Sequence, residues 1–555
     1  MERMSLLDAS FLYVENDVTP MHIGGVAIFD GPPPTHEELV SRFAAKLHLV
    51  PRYRQKVRFL PMNIGLPMWV DDPHFNVDYH VRRTAIPRPG GDAELRNFVG
   101  RQMSQHLDRA RPLWEIWAVE GLDEGRWAIV SKVHHCMVDG VSSTDLMAVL
   151  FDDDPSPEPL PVLPWQARPE PNVLDLIAQS VAGAISPVEQ WRLVLPALRA
   201  PGETIRLGME TLRSFAGAGA RLMPQEKSSL NGGFGPHRRW TSAHTTLAEV
   251  KKIRGALGGT VNDVVLSAIT KGFRTLLLSR SENVDGRSVR TLVPVSVRAQ
   301  SERGTYNNRV SAVFVDLPVG LKDPVARLVE IRRQMDGVKE SKDAMAGERL
   351  VDLAGFGPPM LLAAGQRLAS SLPQRSINTA TTNVPGPQRP LYFAGRRLLE
   401  SSPMVPLAGS IRIAIGIFSY DGGVHFGVTG DYDTVVDIDI LSDGIEDGID
   451  ELVRLAESAT PTKATASAKA TAPAKTATPT KATAPAKAAA PAKAGAPAKA
   501  APAQAGAPAK AVATPAKAAT PAKAAETTAA KKASGTARPG RKPRHRPAAP
   551  ARPTA

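Results

Sequence analysis

The segment KVHHCMVDG (residues 132–140) gathers the side chains best suited to acid–base chemistry in this chain. It follows an apolar run, so we expect a strand that ends in a loop. Adjacent side chains on a strand point to opposite faces. His134 and His135 are therefore not expected to share one metal ion, and Cys136 is not expected to act as a nucleophile with His135 as its base.

The spacing of this segment allows one histidine to face a cleft while Asp139, four residues after His135, braces the turn. Gly140 would let the chain reverse into the next element. Histidine has an ordinary pKa of about 6.5, which suits removal of a hydroxyl proton at neutral pH. An alcohol activated in this way can attack a thioester. A bare H-x-x-x-D spacing is more typical of a turn in a protein core than of a catalytic site, but the full HHxxxDG string after an apolar strand is more specific.

The charge of the chain is divided between a body and a tail. The 555 residues carry a formal net charge of +13. Residues 459–555 contain 18 basic side chains and a single acidic one, Glu526, which leaves 50 basic against 54 acidic residues in 1–458. The positive balance belongs to the tail, so a basic globular nucleic-acid reader is excluded as the first interpretation.

Cysteine content and hydropathy point to a cytoplasmic protein. Cys136 is the only cysteine, which excludes an intrachain disulfide and a cysteine-based zinc site. The N-terminus lacks the apolar core of a secretory signal, and no stretch has the roughly 18 apolar residues that a membrane-spanning helix needs. We expect any contact with a membrane or a lipid droplet to be peripheral.

Composition breaks divide the sequence into four segments. Residues 1–151 are expected to form an N-terminal domain that carries the histidine motif, and 152–236 a proline-rich and helical connector. Residues 237–458 are expected to form a C-terminal domain. Strands are predicted at 24–29, 126–133, 289–297 and 310–319, a helix at 325–335, and a hairpin that turns at 421–423. This mixture predicts an α/β fold with mixed sheets.

The last segment, 459–555, is rich in alanine, proline and lysine. Seven lysines recur every six residues from Lys463 to Lys499. Such a composition cannot bury enough apolar surface to form a core, so we expect disorder with polyproline II character. Its charge could bind anionic lipid or nucleic acid. A solvated tail without a ligand is an equally open interpretation.

Beyond the HHCMVDG string at 134–140, several separated motifs resemble one family: the bacterial bifunctional wax ester synthase/acyl-CoA:diacylglycerol acyltransferases, especially the actinobacterial type. The resemblance covers about residues 4 to 455. Its further motifs are LDASF at 7–11, PMHIGG at 20–25, PLW at 112–114, VNDVVL at 261–266, VPVSVR at 293–298 and NVPGP at 383–387.

This resemblance implies the two-domain fold of CoA-dependent acyltransferases, with the active site in a channel between the domains. It also implies that His135 is the general base and that His134 supports the site. Asp139 would be mainly architectural and held by an arginine, for which Arg298 is the candidate; Gly140 completes the motif. Acyl-CoA would be a substrate, and no metal or other cofactor is expected.

Other residues in the motifs that carry the resemblance have competing interpretations. Pro112, Leu113 and Trp114 could line the acyl channel, or they could form a packed turn. Asn262 and Asp263 could contact substrate, or they could begin a helix. Asn383 could place an amide near the substrate, or it could form a local turn. His22 has no partner pattern, and we interpret it as structural.

Three functions remain open from the sequence. The first is transfer of a long-chain fatty acyl group from acyl-CoA to diacylglycerol, or to a long-chain alcohol to give a wax ester. The second keeps the fold but acts on a specialised hydroxyl or amine acceptor. The third is a non-enzymatic protein that binds a lipid surface or nucleic acid through its tail.

Overall fold

The computed structural model divides the chain into two compact units, Met1–Ala468 and Lys469–Ala555, and every described residue belongs to the first. The predictions for the tail, for Asp139 and Gly140, and for Arg298 lie outside the described residues. The described residues are 2–60, 66–138, 150–158, 160–172, 175, 226–296, 310–340 and 376–459.

A six-stranded mixed sheet occupies the N-terminal half of the described unit. Its strands are β2 (His22–Phe29), β5 (Val81–Ala85), β6 (Trp114–Glu120), β7 (Trp127–His134), β12 (Tyr392–Phe393) and β13 (Arg396–Met404). The strand order is β12-β13-β2-β7-β6-β5, in which only β5 and β6 pair in parallel. A small antiparallel sheet of order β1-β4-β3 completes this half, with β1 (Glu2–Arg3), β3 (Gln55–Arg58) and β4 (Met68–Asp71).

A second six-stranded mixed sheet forms the C-terminal half. Its strands are β8 (Arg238–Thr246), β9 (Val289–Ser296), β10 (Val310–Leu317), β11 (Thr379–Pro385), β14 (Ile413–Tyr420) and β15 (Gly423–Asp431). The order is β10-β9-β11-β14-β15-β8, and β11 runs parallel to both of its neighbours. The predicted α/β fold with mixed sheets is therefore confirmed.

Eight α-helices pack around these sheets within the described ranges. They are α1 (Leu6–Val14), α2 (His36–Lys46), α3 (Val77–His80), α4 (Asp92–Ser104), α5 (Leu247–Leu257), α6 (Val261–Ser279), α7 (Pro324–Glu340) and α8 (Ile438–Ser458). Side-chain caps fix where they begin: the Ser5 hydroxyl of α1 accepts the Asp8 N–H. None of the helices in the described ranges is long and apolar enough to cross a membrane.

The local predictions that fall on described residues agree with the structure. The strands predicted at 24–29, 126–133, 289–297 and 310–319 correspond to β2, β7, β9 and β10, and the predicted helix to α7. The hairpin between β14 and β15 turns through Asp421 and Gly422, both with positive φ (42° and 85°). Such angles are those of the tight turn that matches strand twist.

The two large sheets meet at β13, which comes from the C-terminal half but pairs with β2 in the first sheet. Pro403 of β13 packs on the second sheet, where its carbonyl accepts a hydrogen bond from Nε1 of Trp240 at 3.1 Å. A Cβ atom on Gly427 would lie only 1.7 Å from that carbonyl oxygen. The approach therefore requires a glycine at this position, and the first sheet draws on residues from both predicted domains.

Strand β7, which carries the histidine motif, is buried along nearly its whole length. Seven of its eight residues are buried, and the exception is Ser131. Trp127 at its start is fully buried and stacks on Phe29 of β2 with ring centroids 4.7 Å apart. A strand buried in this way is a rigid support for the side chains that follow it.

Candidate active site

The two histidines of the motif lie where β7 ends and a 3-10 turn (His135–Met137) begins. The backbone N–H of His134 donates to the carbonyl of Leu113 at 2.9 Å, whereas that of His135 donates to the carbonyl of Met21 at 2.9 Å. The chain thus changes partners between the two residues, from the β6 side to the β2 side.

His135 is half-buried and lies against an aromatic ring. Its imidazole stacks on Phe11 of α1, with centroids 3.9 Å apart and an angle of 18° between the planes. Burial lowers the pKa of His135 to about 4, because the charged form loses its hydration. The ring is therefore neutral at physiological pH and has a lone pair that can accept a proton.

His134 is fully buried, and the groups beside its two ring nitrogens determine which nitrogen carries the proton. Nδ1 accepts a hydrogen bond from the backbone N–H of Cys136 at 3.2 Å. A nitrogen that accepts has no proton, so the neutral ring carries its proton on Nε2. Nε2 faces the carboxylate of Glu15, 3.5 Å from Oε1.

Cys136, which follows the two histidines, is a buried free thiol. Burial raises the pKa of this thiol well above its ordinary value, so the sulfur remains protonated. A protonated, enclosed thiol is a poor nucleophile. This agrees with the expectation that Cys136 does not act as the nucleophile.

The PLW motif supports the strand end that carries the histidines. Pro112, Leu113 and Trp114 are all buried. The carbonyl of Leu113 accepts the backbone N–H of His134, and Nε1 of Trp114 donates to the carbonyl of Tyr53 at 2.8 Å. The indole also stacks on His80 with centroids 4.4 Å apart. These contacts describe a packed element, and the predicted contact of these residues with substrate stays a prediction.

The structure brings together Asn262 and Asn383, which are far apart in sequence. Both are half-buried, and Nδ2 of Asn383 donates to Oδ1 of Asn262 at 3.2 Å. Asp263 is used differently: it is buried and forms a capping box with Thr260 at the start of α6. Among the described residues, no hydrogen bond or ring contact links this asparagine pair to His135.

Sequence reasoning missed a cluster of charged and polar side chains around Glu15. We call it the Glu15 cluster; its members are Glu15, His22, His106, Arg109 and His134. Arg109 donates twice to Oε2 of Glu15, at 2.5 and 3.0 Å. His22, interpreted from sequence as structural, directs Nε2 toward Oε1 at 3.5 Å. The sequence signal was only that Glu15 lies between the two N-terminal family motifs.

Burial on its own would raise the pKa of the Glu15 carboxyl, but its contacts with His134, His22 and Arg109 hold that pKa well below the ordinary range. Glu15 is therefore a carboxylate at every relevant pH. One oxygen of Glu15 and one ring nitrogen each of His22 and His106 lie within 4.8 Å of one another. Among the described residues, this is the group whose geometry could accept a metal ion.

The fold and this motif define a class: two mixed sheets joined by a crossing strand, with a histidine pair at a strand end, as in CoA-dependent acyltransferases. Residues 4–265 match the model of the wax ester synthase/diacylglycerol acyltransferase catalytic domain, and 306–453 match the WS/DGAT C-terminal domain. The chain belongs to this family. The predicted resemblance and the predicted class of enzyme, an acyltransferase, are confirmed.

Individual relatives agree with the family models. A Mycobacterium tuberculosis H37Rv protein named probable diacylglycerol O-acyltransferase tgs1 is 36% identical over 468 residues, which is 83% of this chain and 98% of the relative. The wax ester synthase/diacylglycerol acyltransferase of Marinobacter aquaeolei VT8 has a similar structure, with a TM-score of 0.58 and 25% identity, covering 82% of this chain and all of that one. A trichothecene 15-O-acetyltransferase from Fusarium sporotrichioides shares the fold at 12% identity, with a TM-score of 0.53, covering 81% and 94% of the two chains.

Proposed function

We propose that this protein transfers a long-chain fatty acyl group from acyl-CoA to diacylglycerol, and also to long-chain alcohols, with His135 as the general base. Membership of the family and the names of its relatives support the reaction class. The geometry at the end of β7 supports the role of His135. Diacylglycerol is the preferred acceptor in this proposal because the mycobacterial relative carries that activity in its name.

In the proposed mechanism, the neutral ring of His135 takes the proton of the acceptor hydroxyl. The oxygen attacks the thioester carbonyl, and the tetrahedral oxyanion collapses to break the carbon–sulfur bond. The proton held by His135 then passes to the departing CoA thiolate, so the histidine returns to its neutral form. A base placed in this way supplies about 100- to 10,000-fold of the rate. The proposal includes no metal, redox cofactor or acyl-enzyme.

One observation carries the assignment of the base: the two histidines have different surroundings. His134 is fully buried, with Nδ1 engaged by the backbone of Cys136 and Nε2 facing Glu15. His135 is half-buried, and no other described residue hydrogen-bonds to its ring. Of the pair, His135 is therefore the histidine that can accept a proton from a substrate.

The test is CoA release from a radiolabelled long-chain acyl-CoA, with diacylglycerol and hexadecanol offered as acceptors. We expect His135→Gln, which keeps a similar volume, to lower kcat by at least about 100-fold with both acceptors. His244→Ala is the matched control, because that imidazole is 78% exposed on the second sheet. Retention of most activity by His135→Gln would disprove the role of His135.

We also propose that the protein works in the cytoplasm, in peripheral contact with a membrane or lipid-droplet surface. Both acceptors are lipids. Within residues 160–172 of the connector, the apolar side chains of Leu160, Val162 and Leu163 are exposed. The basic tail would add attraction to anionic lipid, about 1 kcal/mol for each lysine near the surface; binding of nucleic acid by the same charge is the competing expectation.

Flotation with liposomes of neutral or anionic lipid, using the full chain and a variant lacking 459–555, tests this contact. We expect the shortened variant to bind anionic liposomes less and to keep its turnover in detergent. Equal binding by both forms would remove the tail from the proposal. Loss of turnover on shortening would instead favour a protein that acts through its tail.

A further inference from the structure

Glu15 is a buried carboxylate outside the family motifs. It lies next to the ring of His134 and binds the backbone of Met21, which in turn is bonded to His135. Glu15 caps the C-terminal end of α1, where its backbone N–H donates to the carbonyl of Phe11 at 3.2 Å. Its side chain is only 5% exposed. Residues four apart on a helix lie on the same face, and Phe11 is the residue that stacks on His135. The last turn of α1 thus presents one side chain toward each histidine.

The two oxygens of Glu15 have separate tasks. Oε2 binds Arg109, which balances the negative charge. Oε1 accepts the backbone N–H of Met21 at 3.2 Å and lies 3.5 Å from Nε2 of His134. The carbonyl of the same Met21 accepts the backbone N–H of His135. A single oxygen therefore touches the ring of His134 and the residue to which the His135 backbone is bonded.

We propose that Glu15 is a positioning residue for His135, which it holds through Met21 and through the oriented ring of His134. This inference rests on the proposed function, in which His135 is the base. An acceptor at Oε1 favours the proton on Nε2 of His134 and so leaves Nδ1 free to hold the N–H of Cys136. The peptide groups on both sides of His135 are then fixed. The N–H of His135 is held by the carbonyl of Met21, and the N–H of Cys136 is held by Nδ1 of His134.

The alternative occupant of the Glu15 cluster is a metal ion bound by Glu15, His22 and His106, and the charges nearby oppose it. Arg109 already occupies the second carboxylate oxygen. Burial, together with the charge of the fully buried Lys132, lowers the pKa of the His22 imidazole to about 4. A divalent cation would add two positive charges next to Arg109, which already balances the Glu15 carboxylate, and near Lys132. The arrangement of groups therefore favours a carboxylate that accepts hydrogen bonds.

Three variants of the full chain separate acceptor geometry from charge. Glu15→Ala removes the acceptor, Glu15→Gln keeps an oxygen at the same reach without charge, and Glu15→Asp keeps the charge but withdraws the oxygen. We expect Glu15→Ala to lower kcat by about 100-fold, the usual effect of a small misplacement of a reacting group, with KM for acyl-CoA unchanged. Glu15→Gln should retain more activity than Glu15→Asp.

Asp71→Ala is the matched control, because Asp71 is also a buried carboxylate bound to an arginine, Arg168, but lies on β4. Its kcat should equal that of the wild type. Circular dichroism shows which variants are folded, and Glu15→Gln keeps the test valid if Glu15→Ala does not fold. Wild-type kcat in Glu15→Ala, or more activity in Glu15→Asp than in Glu15→Gln, overturns the inference.

Metal analysis of the purified wild type and of Glu15→Ala completes the experiment. One equivalent of zinc in the wild type that is lost in the variant would overturn the positioning role in favour of a metal site. If His135→Gln is inactive while Glu15→Ala is fully active, only this inference fails. If His135→Gln is active, the proposed role of His135 as the base fails, and this inference fails with it.

Discussion

The rings of Phe11 and His135 lie nearly parallel, with their centroids 3.9 Å apart. Phe11 belongs to the first helix and His135 follows the seventh strand, so the contact joins two distant parts of the N-terminal half. The phenyl ring covers one face of the imidazole and keeps water from it. Because desolvation is the main cause of the lowered pKa of His135, the basicity of the proposed base depends on this aromatic neighbour.

Replacing Phe11 should therefore change both the rate and its dependence on pH. Phe11→Ala exposes the imidazole, so the pKa of His135 should rise from about 4 toward the ordinary value of about 6.5. We expect kcat to fall by about 10- to 100-fold because the ring is less well oriented. Phe11→Leu keeps an apolar side chain over the imidazole, so its kcat and the pKa of His135 should lie between those of the wild type and Phe11→Ala. An unchanged pH profile in Phe11→Ala would show that the contact does not control the base.

The wild-type enzyme should keep its activity in acid. Only neutral His135 can accept a proton, so kcat/KM should be constant above the pKa of the free enzyme and should fall as pH drops through about 4. Measurement of kcat/KM from pH 3.5 to 8 checks this, with circular dichroism at each pH to confirm that the protein is folded. An acid limb near pH 6.5 would mean that the ring is hydrated in solution.

Trp114 tests whether the PLW motif is a packed element. Trp114→Phe leaves the carbonyl of Tyr53 without its indole donor, which should cost about 1 to 3 kcal/mol of the free energy of unfolding. Trp114→Ala should cost about 3 to 5 kcal/mol. We expect thermal unfolding to shift in that order while KM for acyl-CoA stays constant in Trp114→Phe. A raised KM in a stable Trp114→Phe variant would instead indicate a contact with the acyl chain.

Much of the scaffold could be predicted because its signals are local. The apolar run before His134 predicted β7, and Asp421-Gly422 predicted the hairpin, since a run and a turn are written in consecutive residues. The Glu15 cluster could not be predicted in this way. Glu15 and His134 are 119 positions apart, and they meet because β2 pairs with β7 and α1 packs against the turn that follows β7. The same limit applies to β13, whose own sequence does not reveal that it joins the first sheet.

The hydrogen bond between Asn262 and Asn383 gives a test of whether these two residues act on substrate. If the two amides act on substrate as one unit, Asn262→Ala and Asn383→Ala should lower kcat/KM by similar factors. The kcat/KM of the double variant should then equal that of the less active single variant. Such a cycle gives a coupling free energy of about 0.5 to 1.5 kcal/mol, the usual contribution of one hydrogen bond.

The control for this cycle is another side-chain pair in the same sheet. The buried hydroxyl of Thr291 on β9 donates to the hydroxyl of Thr381 on β11 at 2.8 Å. Thr381 lies two positions before Asn383 on the same strand. Thr381→Val should lower the thermal stability while leaving kcat/KM unchanged, because it breaks a bond of the same sheet outside the asparagine pair. Independent, multiplying effects of the two asparagine variants would contradict a shared role, and an equal loss in Thr381→Val would reduce the pair to a structural contact.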